Sequence, residues 1–275
     1  MSILAEILTH KKAEVASLDA QALRRAAEAS ARPRDFLSAL VEGKGEGNER
    51  SGVRLIGELK RASPSKGILA PHLDLFQVAD IYAENGASAI SVLTDEKFFL
   101  GKLDTLRELR LERKSKLPLL RKDFIVDEVQ LYESRASGAD AILLIAAALT
   151  DDRHFADLHA LALELGLTPL VEVHEEAETE RALNLNDVRL IGINNRNLST
   201  FDVSLDTTER IRPMIPEEIA VVAESGIFTA RDVERLAQAN VDAILVGEAL
   251  VTSDDIAAKV RELSGRTVPS PSGES

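Results

Sequence analysis

Cysteine is absent from this sequence. That excludes disulfide cross-links and thiolate catalysis. Long apolar runs are missing as well: no stretch approaches the ~20 residues needed to cross a bilayer. The opening Met1-Ser2-Ile3-Leu4-Ala5-Glu6 has neither the basic start nor the apolar segment of a signal peptide. The expectation is a soluble, cytoplasmic protein. Positive charge is in deficit, with 33 Lys and Arg against 46 Asp and Glu, a net charge of −13. This balance argues against binding to nucleic acid or to anionic membranes, but leaves room for a local basic pocket that takes one phosphate. Histidine is sparse and scattered. His154 and His159, five apart and expected near the exposed side of a helix, have a poor spacing for metal ligands. His174 is joined by no second His or Cys, and His10 and His72 have no visible partners. Neither a metal site nor a cofactor is expected, and no Ser-His-Asp arrangement can be assembled.

The 275 residues are 45% hydrophobic, enough for one large α/β domain or two smaller ones. Ile3, Leu4, Ile7, Leu8, Val15 and Leu18 recur with a helical period, predicting one or two amphipathic helices over residues 3–28 and a further short helix over 35–41. Gly43-Lys44-Gly45-Glu46-Gly47-Asn48 reads as a linker, because no apolar strand precedes it as a phosphate cradle would require. Lys44 and Lys66 read as solvated loop lysines, although Lys66 falls in the loop after the first strand, next to the expected mouth.

From residue 53 a unit repeats: a short apolar run, a polar turn, a helical pattern. The apolar runs are 53–59, 88–93, 117–121, 140–145, 168–173, 188–193, 219–224 and 242–247, rich in Val, Ile and Leu and of strand length. The helical patterns fall near 73–86, 103–115, 127–137, 151–165, 175–184, 205–213, 229–239 and 253–263. Gly86, Gly138 and Gly166 sit where a helix end takes a left-handed residue. Thr229-Ala230-Arg231-Asp232 fits a capping box. Strands separated by helices pair in parallel, and eight such units close into an α/β (β/α)8 TIM barrel, here with an N-terminal helical extension. The expected division is 1–48 for extension and linker, 49–263 for the barrel, and 264–275 for a disordered tail rich in Pro, Ser and Gly.

The chemistry of such a barrel lies at the C-terminal ends of its strands. Alternate strand residues face the same way, so in Leu55-Ile56-Gly57-Glu58-Leu59-Lys60 the interior face carries Ile56, Glu58 and Lys60. The same rule brings Lys122, Glu172, Asn194, Arg196 and Glu224 to the mouth from strands three, five, six and seven. One buried ion pair is commonly structural. Two lysines and three glutamates converging on one mouth are hard to explain by stability, since each adds a desolvation cost. Ser225-Gly226 after strand seven and Gly247-Glu248 after strand eight let backbone N–H groups approach a phosphate. Ser63, in the first loop, adds a hydroxyl.

These motifs resemble the indole-3-glycerol phosphate synthase family. The resemblance rests on Glu58-Leu59-Lys60-Arg61-Ala62-Ser63-Pro64-Ser65-Lys66-Gly67, Ser91-Val92-Leu93-Thr94-Asp95-Glu96-Lys97-Phe98-Phe99, Leu120-Arg121-Lys122-Asp123-Phe124-Ile125, Leu170-Val171-Glu172-Val173-His174, Ile191-Gly192-Ile193-Asn194-Asn195-Arg196-Asn197-Leu198 and Val222-Ala223-Glu224-Ser225-Gly226-Ile227, in that order over residues 3–260. It departs in having Leu59 where Ile is common and Glu248 where some members carry Ser; with a phosphate on the backbone there, the Glu248 side chain must point away.

The resemblance implies ring closure of 1-(2-carboxyphenylamino)-1-deoxyribulose 5-phosphate, with loss of CO2 and water. Lys122 would be the acid and Glu172 the base, with Lys60 a second acid or an electrostatic support held by Glu58. Asn194 and Glu224 would bind hydroxyls, Arg196 the anthranilate carboxylate, and Ser63, Ser225, Gly226, Gly247 and Glu248 would lie at the phosphate. Pro64, Leu93, Phe99, Phe124, Leu143, Ile145 and Leu198 would form the apolar ring pocket, and the extension would cover the mouth. The expected partner is one small phosphorylated substrate, taken up by a monomer. Phosphoribosylanthranilate isomerase, a related phosphate-binding barrel, would need a Cys in its acid–base pair, which this chain lacks. A non-catalytic sensor or scaffold is argued against by the two lysines and Glu172.

Overall fold

The computed structural model describes residues 2–41, 52–63, 67–70, 72–198 and 200–265. The 43–48 linker and most of the tail lie outside them. The eight apolar runs form β1 (Arg54–Leu59), β2 (Ala89–Leu93), β3 (Leu119–Lys122), β4 (Ala141–Ile145), β5 (Thr168–Val173), β6 (Leu190–Asn194), β7 (Ala220–Glu224) and β8 (Ala243–Val246). All pair in parallel, each with its sequence neighbours, and β1 closes on β8 to complete the barrel.

Among the described residues, three helices precede the barrel: α1 (Ile3–Val15), α2 (Ala20–Ala29) and α3 (Phe36–Val41). Those that follow are α4 (Leu75–Asn85), α5 (Glu96–Phe99), α6 (Leu103–Leu111), α7 (Glu128–Ala136), α8 (Asp152–Glu164), α9 (Glu176–Leu183), α10 (Asp206–Ile211), α11 (Ala230–Gln238), α12 (Glu248–Val251) and α13 (Ile256–Leu263). Local chemistry sets their ends. Asp74, Asp127, Asp151 and Asp255 accept backbone N–H groups at N-caps, Thr229 and Asp232 complete the expected box, and Gly86, Gly138 and Gly166 are left-handed. The last predicted helix, 253–263, begins later than expected, because Asp255 caps it at Ile256.

Alternation along the strands divides the core in two. Outward residues such as Leu55, Leu59, Ile90 and Val171 pack on the helices. Inward residues such as Ile56, Leu120, Leu170 and Val222 fill the barrel together with Phe36 and Leu40 of α3. Ala89, Ala141, Ala220 and Ala243 belong to that inner set and are small enough to admit these two side chains. So α3 plugs the lower end of the barrel, α2 packs along α7, and α1 reaches the mouth, where Ile3, Leu4 and Ile7 line the cavity. At the lower end Arg34 is fixed by the fully buried Asp140, its Nη2 2.7 Å from Oδ2.

Gly57 faces outward and lies directly under Tyr82 of α4: a Cβ there would stand 2.4 Å from the ring. Tyr82 is fully buried and donates its hydroxyl to the Glu58 carbonyl at 3.2 Å. Gly57→Ala is therefore expected to destabilise the protein by about 1–3 kcal/mol through overpacking, measured by urea unfolding. An unchanged midpoint would mean that Tyr82 moves without cost.

Candidate active site

The inward-facing ends of five strands bring charged groups and one amide together. Lys122 of β3 lies at the centre, its Nζ 3.0 Å from Glu172 Oε2 of β5 and 3.0 Å from Glu224 Oε2 of β7. Lys60, one residue past β1, lies 3.1 Å from Glu58 Oε1. Asn194, at the end of β6, donates Nδ2 to Glu172 Oε1 at 3.2 Å. Register explains the arrangement: Glu172 is level with Gly192 across one strand pair, and Asn194 is level with Glu224 across the next.

Two glycines make room for these carboxylates. A Cβ on Gly192 would meet Glu224 Oε1 at 2.4 Å, and one on Gly247 would meet Glu58 Oε1 at 2.6 Å. The sequence suggests Gly247 only as a small residue beside a phosphate; its inner side is needed by Glu58.

Charge separates the groups. Burial opposes the Lys122 charge, but Glu172, Glu224 and Glu58 outweigh it and hold the ammonium well above the ordinary lysine range. Burial likewise pushes Glu172 up, yet Lys122 and His174 pull its carboxyl far below the usual range. Glu224 goes the other way: burial, helped by Glu172 and Glu58, outweighs Lys122 and carries it up to about 8. Its Oε1 is buried without a hydrogen-bond partner among the described residues.

The loop after β7 has two successive left-handed residues, Ser225 (φ 65°) and Gly226 (φ 79°). Asn195, buried beneath it, donates to the carbonyls of Glu224 and Ser225 at 3.0 and 3.2 Å and accepts from Thr208. Gly247 precedes α12. The Glu248 carboxylate does not point away from the cavity, as a backbone-held phosphate would favour; its Oε2 reaches to 3.9 Å from Arg196 Nη2. Phe99 and Phe124 stack obliquely with centroids 6.0 Å apart on the apolar side of the same cavity.

On the opposite face of β3 lies a second charged cluster. Lys11 of α1 is 1% exposed, with its Nζ 3.0 Å from Asp123 Oδ1, 3.1 Å from Asp95 Oδ2 and 3.0 Å from Glu14. Arg121 binds the other oxygen of Asp123 at 3.1 Å and Glu133 at 2.8 Å. Burial raises Asp123, but Arg121 and then Lys11 bring it down to about 2.

Comparison with known proteins supplies the family. The family model described as indole-3-glycerol phosphate synthase matches residues 4–263. The chain belongs to that family. It is 58% identical to the indole-3-glycerol phosphate synthase of Dehalococcoides mccartyi over 212 residues, 77% of this chain and 81% of that one. It is 50% identical to the synthase of Roseiflexus sp. strain RS-1, covering 96% and 98% of the two chains. In fold alone it resembles a 3-keto-L-gulonate-6-phosphate decarboxylase from Vibrio cholerae, at 17% identity and TM-score 0.59, covering 80% of this chain and 100% of that one.

One cavity is lined by Glu58, Lys60, Leu93, Phe99, Lys122, Phe124, Leu143, Ile145, Glu172, Asn194, Arg196, Leu198, Glu224, Ser225, Gly226, Gly247 and Glu248. Pro64 and Lys66 lie outside the described residues, as does the side chain of Ser63, although its backbone pairs with Gly67 in a short hairpin. The sequence reading missed Asp95, Asp123, Phe201 and Phe228, which also line the cavity. It also misjudged one histidine. His159 is buried, not near the exposed side, because five residues rotate it about 140° from the exposed His154. Among the described residues His174 is joined by no second His or Cys, and its ring faces Glu172 and Glu178.

Two outcomes follow from this geometry. Gly192→Ala should keep the fold but displace Glu224, lowering kcat/KM by at least about tenfold through a misplaced group; unchanged kinetics would show that the Glu224 position does not matter. Lys11→Met leaves Asp95 and Asp123 short of a buried cation and should cost about 3 kcal/mol. Because Asp123 sits below its ordinary value of 3.8, its contribution is present above that pH and is lost as pH falls toward about 2. Without Lys11 that window moves up, so acid unfolding followed by circular dichroism should begin at higher pH than in the wild type.

Proposed function

We infer that this mouth closes the indole ring of 1-(2-carboxyphenylamino)-1-deoxyribulose 5-phosphate, releasing CO2 and water to give indole-3-glycerol phosphate. The observation that carries the reading is Lys122 held between two carboxylates whose proton affinities are driven apart.

Ring closure needs an acid for the carbonyl oxygen under attack by the aromatic carbon. Lys122 keeps its proton at neutral pH and stands at the centre of the mouth, where its charge also attracts the substrate carboxylate. Loss of CO2 returns electrons to the ring. The hydroxyl then leaves as water, with Lys60 as acid or electrostatic support and Glu58 holding Lys60. Glu172, ionised and steadied by Asn194, takes the proton released as the double bond forms. Glu224, carried toward its neutral form, can donate to a substrate hydroxyl through its unpartnered oxygen, and Asn194 takes another.

The phosphate would lie against the Ser225-Gly226 and Gly247-Glu248 backbone, with Ser63 near. Arg196 would release Glu248 to meet the anthranilate carboxylate. The aromatic ring would sit among Leu93, Phe99, Phe124, Leu143, Ile145 and Leu198, with Pro64 beside it. Side chains supply the acid, the base and the field, and the proposed chemistry is routed through them alone. The substrate-taking unit is proposed to be the monomer, and the compartment the cytoplasm; no helix among the described residues is long and apolar enough to cross a membrane.

Lys122→Met should lower kcat by about 10²–10⁴ while leaving substrate-analogue binding measurable. Indole fluorescence at neutral pH without added metal reads the rate, and a near-wild-type rate would remove Lys122 as the acid.

A further inference from the structure

The reaction proposed above consumes a proton. At neutral pH the substrate enters as a carboxylate and that group leaves as neutral CO2. Two protons go to the oxygen that departs as water, one at ring closure and one at dehydration. The base recovers only one, from the carbon that becomes part of the indole double bond. Each turnover therefore draws one proton from solvent. When substrate fills the cavity below Ile3, Leu4 and Ile7, the open mouth no longer supplies it directly.

A second route is built beside β5. His174 stands just after the strand, between the carboxylates of Glu172 and Glu178. Its Nε2 is 3.2 Å from Glu172 Oε1 and its Nδ1 is 3.0 Å from Glu178 Oε2, while its backbone N–H donates to the same Glu178 oxygen at 2.7 Å. Glu172 Oε2 is in turn 3.0 Å from Lys122 Nζ. Exposure of the side chains falls along this row, from 13% at Glu178 to 9% at His174 and 3% at Glu172. Glu172 lines the cavity, whereas neither His174 nor Glu178 does. The row thus reaches the reacting centre past the C-terminal end of β5, over the first turn of α9. Nε2 meets Glu172 at ion-pair distance without an aligned hydrogen bond, so a small ring rotation separates holding the proton from delivering it.

We propose that Glu178, His174 and Glu172 form a proton-supply path from solvent to Lys122, resting on the ring-closing reading of the site. The imidazolium gives its Nε2 proton to Glu172, which passes it to the lysine left neutral by its donation to the departing oxygen. His174 is then recharged at Nδ1 through Glu178, and no bond other than N–H and O–H forms or breaks. The charge state of the imidazole fits this role. Burial works against its charge, but Glu172 and Glu178 carry it up to about 10, so it holds its proton at neutral pH. The groups facing the ring are Glu172 from β5 and Glu178 from α9, with Lys122 of β3 and Asn194 of β6 behind Glu172.

The test is steady-state turnover of the full chain for His174→Ala, His174→Asn and Glu178→Gln, with and without added imidazole. His174→Ala should lose about a hundredfold in kcat with little change in KM, and free imidazole should restore the rate in proportion to its protonated form. His174→Asn, which can still donate to Glu172 but carries no acidic proton, should be as slow as His174→Ala. Glu178→Gln should also lower kcat, and gain from the same buffer. Wild-type rate in His174→Asn would reduce His174 to a positioning residue and overturn the path, as would a loss indifferent to buffer. If His174→Ala does not fold by circular dichroism, Glu178→Gln and its buffer dependence decide alone. Absence of product from the wild-type chain would refute the ring-closing reading itself, a result distinct from normal wild-type turnover with unaffected variants.

Discussion

Lys122 is a partly buried ammonium, 13% exposed, that two carboxylates contact at 3.0 Å, and much of the barrel is arranged to permit that contact. Removing a charge from water is costly unless opposite charge and hydrogen bonds replace the lost hydration. Here the replacement comes from strands that are distant in sequence, so it requires a closed barrel in correct register. A slip of one residue in β5 or β7 would turn Glu172 or Glu224 outward into the apolar layer. Space is constrained as strictly as charge. Gly192 and Gly247 leave their inner sides open to Glu224 and Glu58, and a single methyl at either position would occupy a carboxylate oxygen's place.

β3 carries charge on both faces. Lys122 points inward, while Arg121 and Asp123 point into the buried cluster that Lys11 completes from α1. The extension is thus wired to the strand that bears the central lysine and is more than a cover over the mouth. Its other anchors are the Arg34–Asp140 pair and the packing of Phe36 and Leu40 into the lower end of the barrel. Residues that line the cavity mouth and residues that plug the barrel floor belong to one continuous segment, so the shape of the cavity and barrel stability share the same interactions.

Much of this is legible in the sequence because strand alternation is a strict rule. Once Ile56 and Leu120 are placed inside, Glu58 and Lys122 must follow them, and so for Glu172, Asn194 and Glu224. What escapes has no such period. Lys11 sits on an amphipathic helix among charged neighbours, and only the tertiary position of Asp95 and Asp123 marks it as buried. A search for metal ligands around His174 looks for His and Cys, and so passes over its true partners. The usable signal is Glu178 four residues on, which the turn into α9 folds back onto the imidazole. Gly192 and Gly247 read as turn or strand glycines, because the atoms that exclude a side chain there come from other strands.

Glu172 and Glu224 show how one residue type is driven to opposite proton affinities within one site. Both are buried and both touch Lys122, so neither burial nor the lysine distinguishes them. The difference comes from the remaining neighbours. Glu172 also meets His174 and the amide of Asn194, which favour its ionised form. Glu224 keeps one oxygen without a hydrogen bond among the described residues and stands within the field of Glu172 and Glu58, which disfavours its charged form. Lys60 pairs with Glu58, so Glu172 and Glu224 share Lys122 between them, and the deficit falls on the one with fewer other donors. The same imbalance that holds Glu172 ready to accept a proton therefore leaves Glu224 ready to give a hydrogen bond. Division of roles is set by second neighbours, and it would reverse if the donors around Glu172 were moved to Glu224.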